Sequence, residues 1–459
     1  MKEYDIIAIG SGSVTSVVTQ ALSRDDTLSV AIVEKDAPGG ICLTRGCIPS
    51  KMILYPAELV SHIKESSKFG IDVDIKNIDF KKIMKRMRDH IDEQSKNIGN
   101  SLKQSENLDF YHTTGKFIDD YTLKVGEEKI KGDKILICSG SEPLVPPIKG
   151  LEESGYFTSE GLLHLTELPK RVVVIGGGYI GAEFGFFLSM MGSDVTILGK
   201  REQFVPGEEP EISDVLKKKL SKHMKIRTDH EVVEVKKKGN VKLAIAEDEN
   251  GERKGFKCDG ILLAAGRKST SEYLKPERSG IETDDKGWIK VNKKMETSKE
   301  NIWAIGDATG KYMFKHVANK ESEIVYYNAF TEREREMDYH AVPHALFTYP
   351  EVASVGMVEE EADKEHDILV GYYPYSDTGK GMAMMAEDYF IKVIVEKGTY
   401  RILGVHIVGP QASTLIQEII NLMYTQDQTA HPIFRGMHIH PALSEVVERA
   451  FYNLHSHNH

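Results

Sequence analysis

Short apolar runs broken by glycine dominate the first half of the chain. The run Tyr4-Asp5-Ile6-Ile7-Ala8-Ile9 is short and almost uniformly apolar, which predicts a buried strand. It enters Gly10-Ser11-Gly12-Ser13, a turn, then a helical stretch over residues 14–22 and a second strand over 28–33 that ends at Glu34. The same order recurs about 166 residues later. Residues 171–175 lead into Gly176-Gly177-Gly178-Tyr179-Ile180-Gly181, a helix to Met191 and a strand over 194–198. Two strand–glycine turn–helix–strand units predict two dinucleotide-type folds.

Each unit has a later closing strand, over 134–140 and 260–267. Pro146 and Pro147 read as a link between domains. The charged stretch 58–107 reads as a solvated helical excursion. From about Ala341 the glycine turns stop, and strand-like runs at 389–395 and 402–408 precede a helix over 413–424. The expected fold is α/β, with two Rossmann-like dinucleotide-binding domains and a C-terminal α+β domain.

Composition narrows the function without naming it. The 459 residues allow about three domains, and 40% hydrophobic with 28% charged is ordinary for a folded chain. A net charge of −11 argues against a broadly basic nucleic-acid binder. No run reaches the roughly 18 apolar residues of a membrane span, and residues 1–10 lack a signal-peptide layout. Four cysteines are too few for a secreted disulfide framework, so the expected compartment is cytoplasmic. No metal site is expected; His455, His457 and His459 read as a frayed surface tail.

The two turns differ chemically. The first has Gly10 and Gly12 but Thr15 in place of a third glycine. Its position before a helix suits a pyrophosphate, and Glu34 stands where an acid binds adenosine ribose hydroxyls. The second turn is complete with Gly176, Gly178 and Gly181. Its acid slot holds Gly199, followed by Lys200 and Arg201, which favours a 2′-phosphate and hence NADPH over NADH. The alternative is that both cations are ordinary surface charges.

The segment Gly39-Gly40-Ile41-Cys42-Leu43-Thr44-Arg45-Gly46-Cys47-Ile48-Pro49-Ser50-Lys51 carries the most chemistry. Two cysteines five apart can be structural, metal-binding or redox-active. Zinc spacings are absent, and a structural disulfide suits a cytoplasmic chain poorly, so a redox pair reads best. Cys138 and Cys258 lie in or beside the closing strands and read as inert core thiols.

With the segments 176–183, 264–267, 301–307, 347–353 and 438–445, this sequence resembles the class I flavoprotein disulfide reductases, along essentially the whole chain. It is most similar to dihydrolipoamide dehydrogenase, with features of mycothione reductase. The resemblance implies an FAD-binding domain over 1–145 and 268–338, an NAD(P)-binding domain over 146–267 and a dimerisation domain over 339–459. It implies FAD and NADPH or NADH as cofactors and a homodimer. The implied partner is a small dithiol or disulfide, or a lipoyl group on a carrier protein; neither nucleic acid nor membrane is implied.

Residue roles follow from the same resemblance. Cys42 is similar to the interchange thiol, and Cys47 to the thiol beside the flavin that remains a thiolate. Lys51 resembles the lysine near flavin N5, with Glu183 as its ion-pair partner. Tyr179 resembles the ring that covers the nicotinamide pocket until the cofactor displaces it, with Ile180 beside it. His440 resembles the acid–base of thiol exchange, with Glu445 fixing its tautomer, both delivered across a dimer. His438 reads as a packing residue. Asp307 resembles the ribityl-binding aspartate. Met313, Phe314, Lys315 and His316 match the segment under the isoalloxazine. Gly115, Ser139, Gly140 and Ser141 match backbone contacts to adenosine and phosphates, and Gly266 with Arg267 lies on the flavin side.

The substrate is less sharply marked. No cysteine follows Cys258, which disfavours the mercuric and large thioredoxin reductases. Gln20 and Glu323 stand where glutathione reductases carry arginines. Dihydrolipoamide fits best; an NADPH-dependent, mycothione-type reductase is the alternative, and a non-catalytic flavoprotein scaffold ranks behind both, because Cys42, Cys47, His440 and Glu445 are all present.

Overall fold

The computed structural model describes residues 1–456. The strand Lys2–Ile9 lies between Val30–Val33 and Glu128–Ile137, parallel to both. Leu108–Tyr111 extends the sheet on one side, and Ile302–Ala304 pairs with Glu128–Ile137. An antiparallel meander of Gly115–Asp119 and Thr122–Val125 completes it. Both faces of Lys2–Ile9 are covered: Tyr4, Ile7 and Ile9 pack into one core, Ile6 and Ala8 into another. That double burial explains its unbroken apolar run.

The second unit repeats the plan with five parallel strands. Their order is Lys225–Arg227, Asp194–Leu198, Arg171–Ile175, Gly260–Leu263 and Phe157–Thr158. Along the chain, a separate three-stranded antiparallel sheet over 230–258 is inserted between Lys225–Arg227 and Gly260–Leu263. The C-terminal part is a six-stranded antiparallel sheet whose middle strands are Phe390–Glu396 and Ile402–Gly409. The helix Ala412–Met423 packs on it through Leu415, Ile416 and Ile419. The fold is therefore the expected α/β pair of dinucleotide-binding units with an α+β C-terminal part.

Three expectations change in detail. The first closing strand runs over Glu128–Ile137, so Ser139 and Gly140 lie beyond its carboxyl end, on the side where open α/β sheets bind ligands. The tail is not frayed at His455, because Leu454–Ser456 pairs with Ile368–Pro374; His457 and His459 lie outside the described residues.

The stretch 58–107 is not a solvated excursion. It contains the end of the helix Cys47–Glu65 and the whole of Phe80–Gln104. The second helix buries Phe80, Met84, Met87 and Ile91, spaced by four, three and four residues along one face. These share a core with Phe184, Phe186 and Phe187 of the helix after the second glycine turn, and the Phe80 and Phe187 rings lie 6.0 Å apart. The abundant lysines hide the stripe because they occupy the opposite face.

A single comparison tests this burial. Met84→Ala is expected to lower unfolding stability by about 2–5 kcal/mol. Lys85→Ala, one position along and on the exposed face, is expected to change it by no more than about 0.5 kcal/mol. Denaturant unfolding of both variants checks the difference.

Candidate active site

The first glycine turn follows Lys2–Ile9 and opens the helix Val14–Arg24, so the N-terminal end of that helix faces a long cleft. Gly10 and Gly12 line one wall. Thr15, in the third glycine slot, donates its hydroxyl to the Gly12 carbonyl at 2.8 Å, so the turn closes without that glycine. Glu34 is buried at the far end; its Oε2 accepts from the Ser11 N–H at 2.9 Å and Oγ at 2.8 Å. Gly115, Ser139 and Gly140 continue that wall. Cys42, Cys47, Asp307, Met313, Phe314 and Lys315 also line the cleft.

Within the cleft the two thiols act as one unit. Cys42 is drawn down to about 7, first by a hydrogen bond from Cys47, with the Lys315 and Lys51 cations adding to it against burial. The same hydrogen bond, and then burial, pushes Cys47 up. In the dithiol this hydrogen bond favours the Cys42 thiolate. Cys258 is a buried core thiol, pushed up to about 11 by burial. Cys138 is likewise pushed up to about 11, yet it lines the cleft and is not purely a core residue.

Four expected contact residues stand behind the cleft. Ser141 donates its hydroxyl to Asp307 Oδ2 at 2.5 Å and accepts from Arg267 Nε at 2.5 Å, while Arg267 Nη2 bonds the Ser141 carbonyl at 2.8 Å. Ser141 and Arg267 thus orient Asp307 instead of lining the cavity. The Gly266 carbonyl is taken by the Leu144 N–H at 2.9 Å, a tie across the domain link. His316 bonds the Pro343 carbonyl through Nε2 at 2.8 Å and stacks on Phe314.

Lys51 lies on the cysteine-bearing helix Cys47–Glu65, and Glu183 on the second nucleotide helix, Tyr179–Met191. They meet at 2.8 and 2.9 Å through both carboxylate oxygens. The Phe347 N–H donates to Glu183 Oε1 at 3.0 Å, and Lys51 sits over the Phe347 ring at 4.3 Å.

At the second turn, Gly176 and Gly178 precede the helix, and Gly181 must be glycine. A Cβ at Gly181 would lie 2.1 Å from the Gly176 carbonyl oxygen. Tyr179 Oη donates to Glu208 at 2.7 Å. Burial works against the Glu208 carboxylate, but His344, Ser354 and Tyr179 together hold it below the usual range. Ile180 is half-buried beside this ring. Gly199 is fixed by its own N–H to the Arg227 carbonyl at 2.8 Å and by the His230 N–H to its carbonyl at 2.9 Å. Lys200 is exposed and paired with Glu231 at 2.8 Å; Arg201 is exposed.

His440 Nδ1 lies 2.9 Å from Glu445, whose second oxygen accepts from the Ala442 N–H at 3.2 Å. The His440 bond holds the Glu445 carboxyl below its ordinary range. His440 is 75% exposed and is not among the residues lining the cleft of its own protomer. His438, by contrast, is sheltered and held by Glu418 at 3.1 Å.

The sequence profile of the pyridine nucleotide-disulphide oxidoreductases matches residues 4–322, and that of their dimerisation domain matches residues 342–451. The chain belongs to this family. Mycothione reductase of Mycobacterium tuberculosis is 33% identical over 99% of this chain and 100% of its own length. Dihydrolipoyl dehydrogenase of Chlamydia pneumoniae is 33% identical over 97% of this chain and 95% of its own. The solved structure of the HOCl-induced flavoprotein disulfide reductase RclA from Escherichia coli superposes with a TM-score of 0.85 at 29% identity, covering 98% and 99% of the two chains. The chain is thus an FAD-dependent disulfide oxidoreductase that uses a pyridine nucleotide, with a dimerisation domain at its C-terminal end. Among the described residues no helix is long and apolar enough to cross a membrane.

The cleft itself fits FAD. Its span from Glu34 to the cysteines gives ribose, diphosphate and ring ends distinct neighbours, and bare glycine backbone lies between them. Sequence reasoning passed over Ser13, Tyr273, Glu208 and His344. Ser13 lies inside the glycine turn and was legible there, whereas Tyr273, Glu208 and His344 sit in segments with no motif.

The Cys42 environment makes a pH prediction. In reduced enzyme the thiolate fraction rises with pH and is half-maximal at about pH 7. Iodoacetamide labelling of Cys42, followed by mass spectrometry, is expected to show that midpoint, and Lys315→Met is expected to move it upward.

Proposed function

We propose that the chain passes two electrons between NAD(P)H and a small substrate dithiol/disulfide through Cys42 and Cys47, with the dihydrolipoamide/lipoamide couple as the first substrate reading. The observation that carries it is the Cys42–Cys47 pair on the wall of a cleft whose lining fits FAD. When bound, FAD accepts hydride from the nicotinamide and delivers the electron pair to the cysteines. Cys42, the favoured thiolate, attacks one sulfur of the substrate disulfide, and the other sulfur leaves as a thiolate. His440, brought from a second copy in a homodimer, protonates that leaving thiolate, and Glu445 holds its ring. Cys47 then displaces the second substrate thiol and restores the Cys42–Cys47 disulfide. Lys51 and Glu183 hold the cysteine helix against the nucleotide helix, and Asp307, aimed by Ser141 and Arg267, holds the cofactor's polyol side. The division into FAD, NAD(P) and dimerisation domains at residues 145/146, 267/268 and 338/339 belongs to the same reading.

A second substrate reading has its own observation. The acid slot of the second turn holds Gly199, so nothing there repels a 2′-phosphate. That supports an NADPH-dependent reductase of another low-molecular-weight disulfide, as in the mycothione reductases. Turnover of lipoamide and of mycothiol, glutathione and coenzyme A disulfides, each with NADH and NADPH, separates the two. Lipoamide turned over no faster than the others overturns the first.

Two outcomes follow for variants. His440→Ala is expected to slow disulfide turnover by roughly 10²–10⁴-fold while flavin reduction is far less affected. Equal loss in both half-reactions, measured by stopped flow, overturns the assigned role. For the nucleotide, wild type is expected to favour NADPH by up to roughly tenfold in kcat/KM. The exposed Lys200–Glu231 pair diverts part of that attraction, so Glu231→Gln is expected to increase the preference. A wild-type preference for NADH at matched ionic strength defeats the phosphate reading.

A further inference from the structure

Glu208 is a charge in an unusual place. Its side chain is fully buried, yet it belongs to the short loop between the strand Asp194–Leu198 and the helix Pro210–Leu220. That loop is tied to the second glycine turn, because the Val205 N–H donates to the Gly177 carbonyl at 2.7 Å. From there the carboxylate reaches the C-terminal sheet. Oε1 meets His344 Nε2 at 2.8 Å, and Oε2 accepts from Ser354 Oγ at 2.6 Å. His344 and Ser354 face each other across Pro343–Leu346 and Glu351–Gly356, so the dock is made by one pair of neighbouring strands. The His344 ring lies parallel to Phe314 of the cleft wall, 5.9 Å away.

The third bond is of another kind. Tyr179 Oη donates to Glu208 Oε1 at 2.7 Å, and its ring lies 5.7 Å from that of His344. Tyr179 opens its helix directly after the phosphate-type turn, and its ring packs at the margin of the shared core. His344 and Ser354 satisfy Glu208 even when Tyr179 leaves. Release of the tyrosine therefore costs one hydrogen bond and does not strand a buried charge.

We propose that Glu208 is a positioning residue that latches Tyr179 in the closed position, docked on His344 and Ser354, and thereby sets how readily the nucleotide enters. The proposal rests on the reading of Tyr179 as the ring covering the nicotinamide pocket. A nucleotide that binds only the open arrangement has its apparent affinity reduced by the open fraction. A latch that favours the closed arrangement thus weakens nucleotide binding and shields the pocket between turnovers. It also makes nucleotide entry depend on the packing of the C-terminal sheet, since that sheet supplies the dock.

Tyr179→Phe removes the latch and keeps the ring. In the FAD-loaded enzyme it is expected to tighten NADP⁺ binding by roughly three- to tenfold, measured by titration calorimetry, with the gain in KM for NADPH and not in kcat. Glu208→Gln, if it folds, is expected to tighten binding in the same direction, and combining it with Tyr179→Phe is expected to add little further. Loss of a merely structural bond weakens binding or leaves it alone; it does not tighten it. If Tyr179→Phe stays within twofold of wild type while Tyr179→Ala alters NADP⁺ affinity or association rate, the latch is wrong and the covering ring stands. If Tyr179→Ala changes neither, the covering-ring reading fails and the latch falls with it.

Discussion

The cysteine segment meets the first glycine turn backbone to backbone, and the geometry of the cleft depends on that contact. Gly40 has φ +73°, and a Cβ on it would stand 2.6 Å from Gly12 Cα. Ser11 locks the approach from the side: its hydroxyl accepts from the Gly39 N–H at 3.0 Å and donates to Glu34. One serine thereby links the turn, Glu34 and the start of the cysteine segment. Removing side chains from both surfaces is what allows a thiol pair and a phosphate-type turn to border one cleft.

The second unit is held to the first by contacts of different strength. Lys51 and Glu183 join the two helices that flank the site, but the lysine is 37% exposed, so the pair matters more for placement than for stability. The apolar core shared by Phe80–Gln104 and Tyr179–Met191 supplies the stability. A third tie links the nucleotide unit to the C-terminal sheet. Burial disfavours the Lys392 ammonium, yet Glu359, Glu209 and Glu211 surround it and hold its pKa above the ordinary lysine value. Glu208 and Glu209 thus send adjacent side chains into one sheet, the first to His344 and Ser354, the second to Lys392. The nucleotide turn, the flavin-side cleft and the C-terminal sheet are mechanically continuous through these residues.

Much of this was legible in the sequence because it is local. Strand–turn–helix order follows from apolar runs and glycine positions. Both glycine turns, the Cys42–Cys47 pair and the His440–Glu445 contact lie within a few residues, where backbone geometry fixes the distance. Lys51 and Glu183 are 132 residues apart and were paired only through family resemblance, since no spacing links them. The helix Phe80–Gln104 was misread because its apolar stripe is diluted by charge, and only the facing phenylalanines show which side is buried.

What the sequence could not decide was where side chains stop once the sheets are stacked. Ser141 and Arg267 were placed against the cofactor, but packing turns them onto Asp307. Glu208 and His344 look like surface polar residues in their own segments, and they become a buried network only when two distant parts of the chain meet. By itself the sequence determined the elements, the nucleotide turns and the redox pair, because each is written in short-range spacing. The tertiary structure decided which charges are buried, what satisfies them and what holds Tyr179. A buried charge needs partners, and no local pattern records partners that lie far away along the chain.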